Sequence, residues 1–418
     1  MRKSSHHHIQ IFEHQTLRIG DVKEGVVFTA HHWEQLLRLN ETQYPPYFQI
    51  IHQGIRALHY VGVIALDHLT IEILPKTSQQ GSAQAQLLLL DMLKTTGRLP
   101  SMHLPSSLAQ GKGKLFDLFL LQFIKEVEAL AAKGMVKHYR KEQKNEHKFS
   151  GRILFSEQIR KNCVHKEKVY AEHQVFDTQH LLNDYIKEAL EKVLSLTSNQ
   201  EIISKTQKLL AYFPSSTSSI DIQKINRIKL SRNEVHYEKA IQWARMILFE
   251  LKPKVSFGDL RCHCFLINMQ QLFEEYVNKK LCELAPSYGC KIKSQTLSKF
   301  WRRRSIRPDM LLTTANGENI ILDTKWKLLK NNEPEDADLK QIYIYNRFFN
   351  AHRGILLYPL QNKSVGYSAN FQHWEESSMS CEIAYVDLFG TNDRLSPMWP
   401  NELLEQILNK KLTKAQNI

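Results

Sequence analysis

The last third of the chain holds two aspartates and a lysine whose spacing suits a bound cation and a phosphate. Asp309 follows Pro308, and Asp323 precedes Lys325 by two residues in Leu322-Asp323-Thr324-Lys325. Ser305 to Thr314 reads as a strand, Ala315 to Asn319 as a hairpin turn and Ile320 to Trp326 as a second strand. Side chains two apart on a strand share a face, so Asp323 and Lys325 enter one pocket. Apolar Ile320, Ile321 and Leu322 lead in, and burying an aspartate behind them is costly unless a cation compensates. A hard divalent ion such as Mg²⁺, shared by carboxylates, water and a substrate phosphate oxygen, meets that need. Lys325 would then orient or help deprotonate an attacking water, or stabilise charge developing on the phosphate.

These residues need elements to hold them. Phe265 to Leu284 repeats apolar residues at helical intervals and carries Glu274 and Glu275. Lys291 to Arg307 has seven basic residues and no acid, a run suited to a polyanion. Asp336 to Phe349 reads as a helix with Gln341 and Tyr345 four residues apart on one face, both able to hydrogen-bond. Strands at Gly354 to Tyr358 and Glu382 to Leu388 and a helix at Asn401 to Leu412 complete an α/β core. Upstream, residues 1–100 form a β-rich module, 101–253 a mainly helical middle region and 254–418 the α/β domain. Lys137 to Phe149 is so polar that an exposed loop is expected, and Pro214 to Ser219 has linker composition.

Pro308-Asp309, Asp323-Thr324-Lys325 and Gln341-x-x-x-Tyr345, with Glu274 upstream, resemble the PD-(D/E)xK nuclease superfamily over roughly residues 265–360. More narrowly, Leu272-Phe273-Glu274 and Leu322-Asp323-Thr324-Lys325-Trp326-Lys327 resemble the McrC family, nuclease subunits of modification-dependent restriction systems. Tyr60 to Ile64 and Ile71 to Lys76 are similar to its N-terminal part. The resemblance implies a restriction-endonuclease-like fold in the C-terminal domain and a Mg²⁺- or Mn²⁺-dependent DNA endonuclease. Asp309, Asp323 and Glu274 would be metal ligands, Glu275 being the alternative to Glu274. Lys325 would be the catalytic lysine, and Gln341 and Tyr345 supports for the site or the DNA strand. It also implies a McrB-like AAA+ partner whose GTPase the chain stimulates. Residues 137–219 have no counterpart in the resemblance.

The chain carries no nucleotide loop of its own, since Gln110-Gly111-Lys112-Gly113-Lys114 lacks the Gly-x-x-x-x-Gly-Lys-Ser/Thr pattern. With 56 Lys and Arg against 43 Asp and Glu, the net charge of +13 favours acidic partners such as DNA. Lys299, Arg302, Arg303, Arg304 and Arg307 are the expected phosphate contacts, whereas Phe300 and Trp301 are expected in the core. No apolar run is long enough to span a bilayer, and the N-terminus has no signal-peptide pattern, so a cytoplasmic location is expected. The six cysteines are expected as buried thiols rather than a zinc site, and His6 to His8 as exposed. The competing readings are a structural ion pair in place of the catalytic set, a non-catalytic DNA-binding activator of the motor, and a stand-alone repair-type nuclease.

Overall fold

The structure is a computed structural model that describes residues 7–41, 44–66, 69–76, 81–100, 114–164, 166–197, 199–214, 225, 228–250, 253–257, 260–329, 333–360, 366–371, 379–390, 395–408 and 413–414. Two compact units make up the chain, one of residues 116–252 and the other of 7–115 together with 253–418. The linker expected at 215–219 and most of the glycine-rich stretch 110–114 lie outside the described residues.

In the second unit, strands β1 (His7–Phe12), β2 (Tyr60–Ala65), β3 (Leu69–Leu74), β4 (Pro253–Phe257) and β5 (Leu260–Asn268) form one sheet in the order β1-β3-β2-β5-β4. The sequence division at residues 100 and 253 treats its two halves as separate modules, yet β2 and β5 pair antiparallel, Val63 opposite Phe265. Gly62 makes this approach possible. Its φ is +135°, and a Cβ there would collide with the Phe265 carbonyl oxygen. The helix expected from Phe265 therefore begins only at Met269. Cys264 to Ile267 is an apolar run that strand pairing claims first, because a neighbouring edge was open to it. His8, expected at the surface, is 7% exposed, with Nε2 3.1 Å from the fully buried Glu72.

Helix α1 (Ser82–Thr95) packs against α2 (Met269–Leu284), tied by a 2.8 Å hydrogen bond from the Tyr276 hydroxyl to Asp91. The Asn268 side chain caps α2 by accepting from the Gln271 N–H. Next come β6 (Lys291–Ser294), a separate hairpin of β7 (Ser298–Trp301) and β8 (Arg304–Ile306), then β9 (Met310–Thr313) and β10 (Asn319–Thr324). Ser305 to Thr314 is thus two strands. Arg307-Pro308-Asp309 interrupts it, as expected where a proline lacks the donor for a ladder bond. Helix α3 (Asp336–Phe348), β11 (Arg353–Pro359), β12 (Tyr367–Asn370), β13 (Ser380–Val386), α4 (Trp399–Leu408) and β14 (Thr413–Lys414) follow. The large sheet runs β6-β9-β10-β11-β13-β12-β14, with β10, β11 and β13 parallel. Gly354 lets α3 lie close on this sheet, since a Cβ there would collide with Ile342 and Asn346.

The other unit is helical at Phe116 to Lys133, Leu181–Leu196, Gln200–Leu210 and Glu238–Arg245. The loop expected at 137–149 is instead a strand, His138–Glu146, antiparallel to Val169–Asp177. Arg140 sits 2.9 Å from Asp177, and Lys141 3.4 Å from Glu172, so complementary charges across the ladder replace the missing apolar alternation. Among the described residues, no helix is long and apolar enough to cross a membrane. Cys163, Cys264, Cys282, Cys290 and Cys381 are free thiols; Cys264, Cys290 and Cys381 are buried as expected, whereas Cys282 is half-buried and Cys163 exposed.

Candidate active site

The break at Pro308 and the adjacent end of β10 bring the two aspartates together. Asp323 is 1% exposed at the penultimate position of β10. Asp309 lies across from it, its Oδ2 accepting from both the Thr324 N–H and the Thr324 hydroxyl at 2.8 Å. Lys325 leaves the strand but returns its Nζ to within 2.7 Å of Asp323 Oδ2. Gln341 stands between them: its Oε1 accepts from Lys325 Nζ at 3.0 Å, and its Nε2 faces Asp323 Oδ1 at 3.3 Å and the Tyr345 hydroxyl at 2.9 Å. The Tyr345 hydroxyl in turn donates to the Arg307 carbonyl at 3.0 Å, holding the segment that carries Asp309.

Electrostatics mark this as a cation-seeking place. Burial first, and repulsion from Asp309 second, push the Asp323 carboxyl up to about 7 against the pull of Lys325. Burial also raises Asp309, despite the two Thr324 hydrogen bonds. Burial opposes the charge on Lys325, but Asp323, Asp338 and Asp309 outweigh it and raise the lysine. Glu274 is raised by burial and then by Asp309, and its Oε1 accepts from Gln295 Nε2 at 2.8 Å. Glu275 faces elsewhere, held in a two-pronged pair by Arg98 at 2.8 and 2.6 Å. Of the two glutamates, Glu274 is the one that feels Asp309.

Asp323 Oδ2 is buried and meets the Lys325 ammonium at 2.7 Å, so one cation faces two carboxylates that repel each other. That donor set suits a hard divalent ion. Among the described residues, no three His, Cys, Asp or Glu side chains already form a cage for a metal.

Other participants were invisible in the sequence. Asp338, 6% exposed in the first turn of α3, lies 3.6 Å from Lys325 Nζ and 2.6 Å from Lys327 Nζ. Gln270 clamps the far side, donating to the Thr324 carbonyl at 2.7 Å and accepting from the Trp326 N–H at 2.6 Å. The basic run behaves differently from the core: Lys299, Arg302, Arg303, Arg304 and Arg307 are all exposed. Phe300 and Trp301, expected in the core, are 53% and 62% exposed, because they sit on the free-standing two-stranded hairpin rather than in the large sheet.

The family model for the McrBC 5-methylcytosine restriction system component matches residues 55–359, well over half of the chain and the whole of this site. The chain belongs to that McrBC family. Its fold is similar to a chain in the refined half-complex from the tetradecameric assembly of Thermococcus gammatolerans McrB AAA+ hexamers with bound McrC. That match has a TM-score of 0.74 at 19% identity, covering 96% of this chain and 100% of the other. A chain of the Thermococcus gammatolerans McrBC complex matches at TM-score 0.50 and 20% identity, covering 66% and 87%. No curated protein matches in sequence.

The McrBC match begins after Glu13, which nevertheless touches the site's rim. Glu13, 2% exposed, accepts from Trp326 Nε1 at 2.8 Å and from the Lys76 N–H at 3.1 Å, while its Oε1 has no partner. Burial pushes its carboxyl up to about 7, opposed by those two hydrogen bonds. The native state therefore holds this proton more tightly than the unfolded chain does. Stability is full below about 4.5 and declines as pH rises towards 7, by something on the order of 3 kcal/mol. Glu13→Gln keeps an acceptor for Trp326 and removes the charge. Its melting temperature should fall less than that of wild type between pH 5 and pH 8, and equal slopes in a thermal melt would contradict the assignment.

Proposed function

We propose that this McrBC-family chain is a Mg²⁺-dependent DNA endonuclease subunit that cuts modified DNA together with a GTP-hydrolysing AAA+ motor, whose GTPase it stimulates. The observation that carries the reading is the convergence of Asp309, Asp323, Lys325 and Gln341 around a buried carboxylate. Asp309 and Asp323, with Glu274 behind Asp309, would hold the ion; Mn²⁺ satisfies the same oxygen donors. When bound, the ion supplies Lewis-acid polarisation of the scissile phosphate and a more acidic water.

The chain's own residues do the rest. Asp323 and Asp338 keep Lys325 protonated, so its ammonium stands ready beside the negative charge that grows on the phosphate. Gln341 fixes the distance between lysine and aspartate by bonding both, and Tyr345 fixes Gln341. Thr324 aims Asp309 from the opposite side. Exposed Lys299, Arg302, Arg303, Arg304 and Arg307 draw in the DNA backbone.

A plasmid carrying 5-methylcytosine, incubated with the chain, its motor, GTP and Mg²⁺, should be cut, with weak or no cutting by the chain alone. Robust sequence-specific digestion by the isolated chain would overturn the division of labour. If the five cations each neutralise one phosphate, the slope of log affinity against log salt includes a share of about −4.5 from them. Replacing Arg302, Arg303 and Arg304 with alanine should flatten that slope by about 2.7, measured by fluorescence anisotropy in 50 to 200 mM salt. An unchanged slope would remove these arginines from the DNA path.

A further inference from the structure

The hairpin β7–β8 carries more than charge. Trp301, Phe300 and the preceding Leu297 are 62, 53 and 69% exposed within a stretch that has seven cations and no acid. Arg302 turns the chain with φ +48°, a left-handed conformation that side chains seldom adopt, and sets its guanidinium 5.1 Å from the centre of the Trp301 ring. Both ends of the hairpin are tied to α3. Phe300 meets Phe348 edge-on at 6.1 Å, and Tyr345 holds the Arg307 carbonyl. An indole kept in water on a rooted, wholly basic arm needs a partner with both an aromatic face and negative charge, and a nucleobase with its phosphate has both.

We propose that residues 298–306 form a DNA-engaging arm in which Trp301 stacks on a base within a few nucleotides of the cleaved phosphodiester. This rests on the nuclease reading above. Trp301 pairs with Arg304, and five residues of extended chain, roughly 17 Å at most, separate Arg304 from Asp309. At about 3.4 Å per nucleotide, the stacked base falls within about five nucleotides of the cut.

The test uses the full chain and a methylated duplex carrying single 2-aminopurines at successive positions, whose fluorescence reports stacking. Wild type should change the signal at one or two neighbouring positions. Trp301→Ala should abolish that change and weaken binding about tenfold, Trp301→Phe should retain most of both, and circular dichroism should show each variant folded. Asp323→Asn should give the wild-type signal, and with the motor, GTP and Mg²⁺ added it should fail to cut where wild type cuts. Identical signals and affinities for wild type and Trp301→Ala, or no DNA binding by wild type, would overturn the arm. Undiminished cutting by Asp323→Asn would instead overturn the nuclease reading and leave the stacking result standing on its own.

Discussion

Asp323→Asn is expected to lower cleavage of methylated DNA by roughly three orders of magnitude, about 4 kcal/mol of transition-state stabilisation. The carboxylate is buried, and an amide supplies neither the charge nor the second oxygen donor a hard ion needs. The fold should not suffer. Burial and Asp309 push this carboxyl up to about 7, so its charge is a burden on the native state that an isosteric neutral side chain relieves. Below the ordinary carboxylate range both states carry the proton and nothing is lost; between about 4 and 7 wild-type stability declines while the variant's does not. Thermal melts at pH 8 should therefore place Asp323→Asn at or above wild type. A variant that cuts normally would leave the chain as a non-catalytic activator of its motor.

Lys325→Gln is expected to reduce cleavage by about 10²- to 10³-fold with DNA affinity within about twofold of wild type. Its Nζ is the only described cation within 4 Å of Asp323, and the lysine holds that carboxyl down. Without it, Asp323 is protonated to higher pH, so protons compete more strongly with the ion. The Mg²⁺ concentration for half-maximal cleavage should rise, and rise most at low pH. Comparing Mg²⁺ titrations at pH 6.5 and 8.5 separates this from loss of a proton donor, which would lower the maximal rate equally at both. A normal Mg²⁺ titration with normal rate would remove Lys325 from the chemistry.

The core of the site could be read in the sequence because its geometry is local. Asp309 and Asp323 sit at the same end of one hairpin, Lys325 one residue past its second strand, and Gln341 and Tyr345 one helical turn apart. What stayed hidden depends on contacts between distant residues. Nothing near Glu274 or Glu275 says which one Arg98 will take, and Gln270 and Glu13 reach the loop after β10 from 54 and 313 positions away. Asp338 looks like an ordinary first-turn acid of α3 until Lys325 and Lys327 close on it. The strand at 138–146 escaped notice because its alternation is of opposite charges rather than of apolar and polar residues. Trp301 and Phe300 misled for the opposite reason: aromatic residues usually mark a core, and here they stand on a hairpin outside the sheet.

The pairing of β2 with β5 has a consequence for biosynthesis. Val63 cannot meet Phe265 until some two hundred further residues have been translated, among them all of 116–252. At roughly 5 to 20 residues per second, that wait lasts about 10 to 40 s. During it the amino-terminal sheet presents a raw edge to solvent, an invitation to aggregation that a chaperone or rapid neighbouring folding must cover. The same delay means that a ribosome-bound fragment cannot complete the sheet that carries α2 into the proposed site.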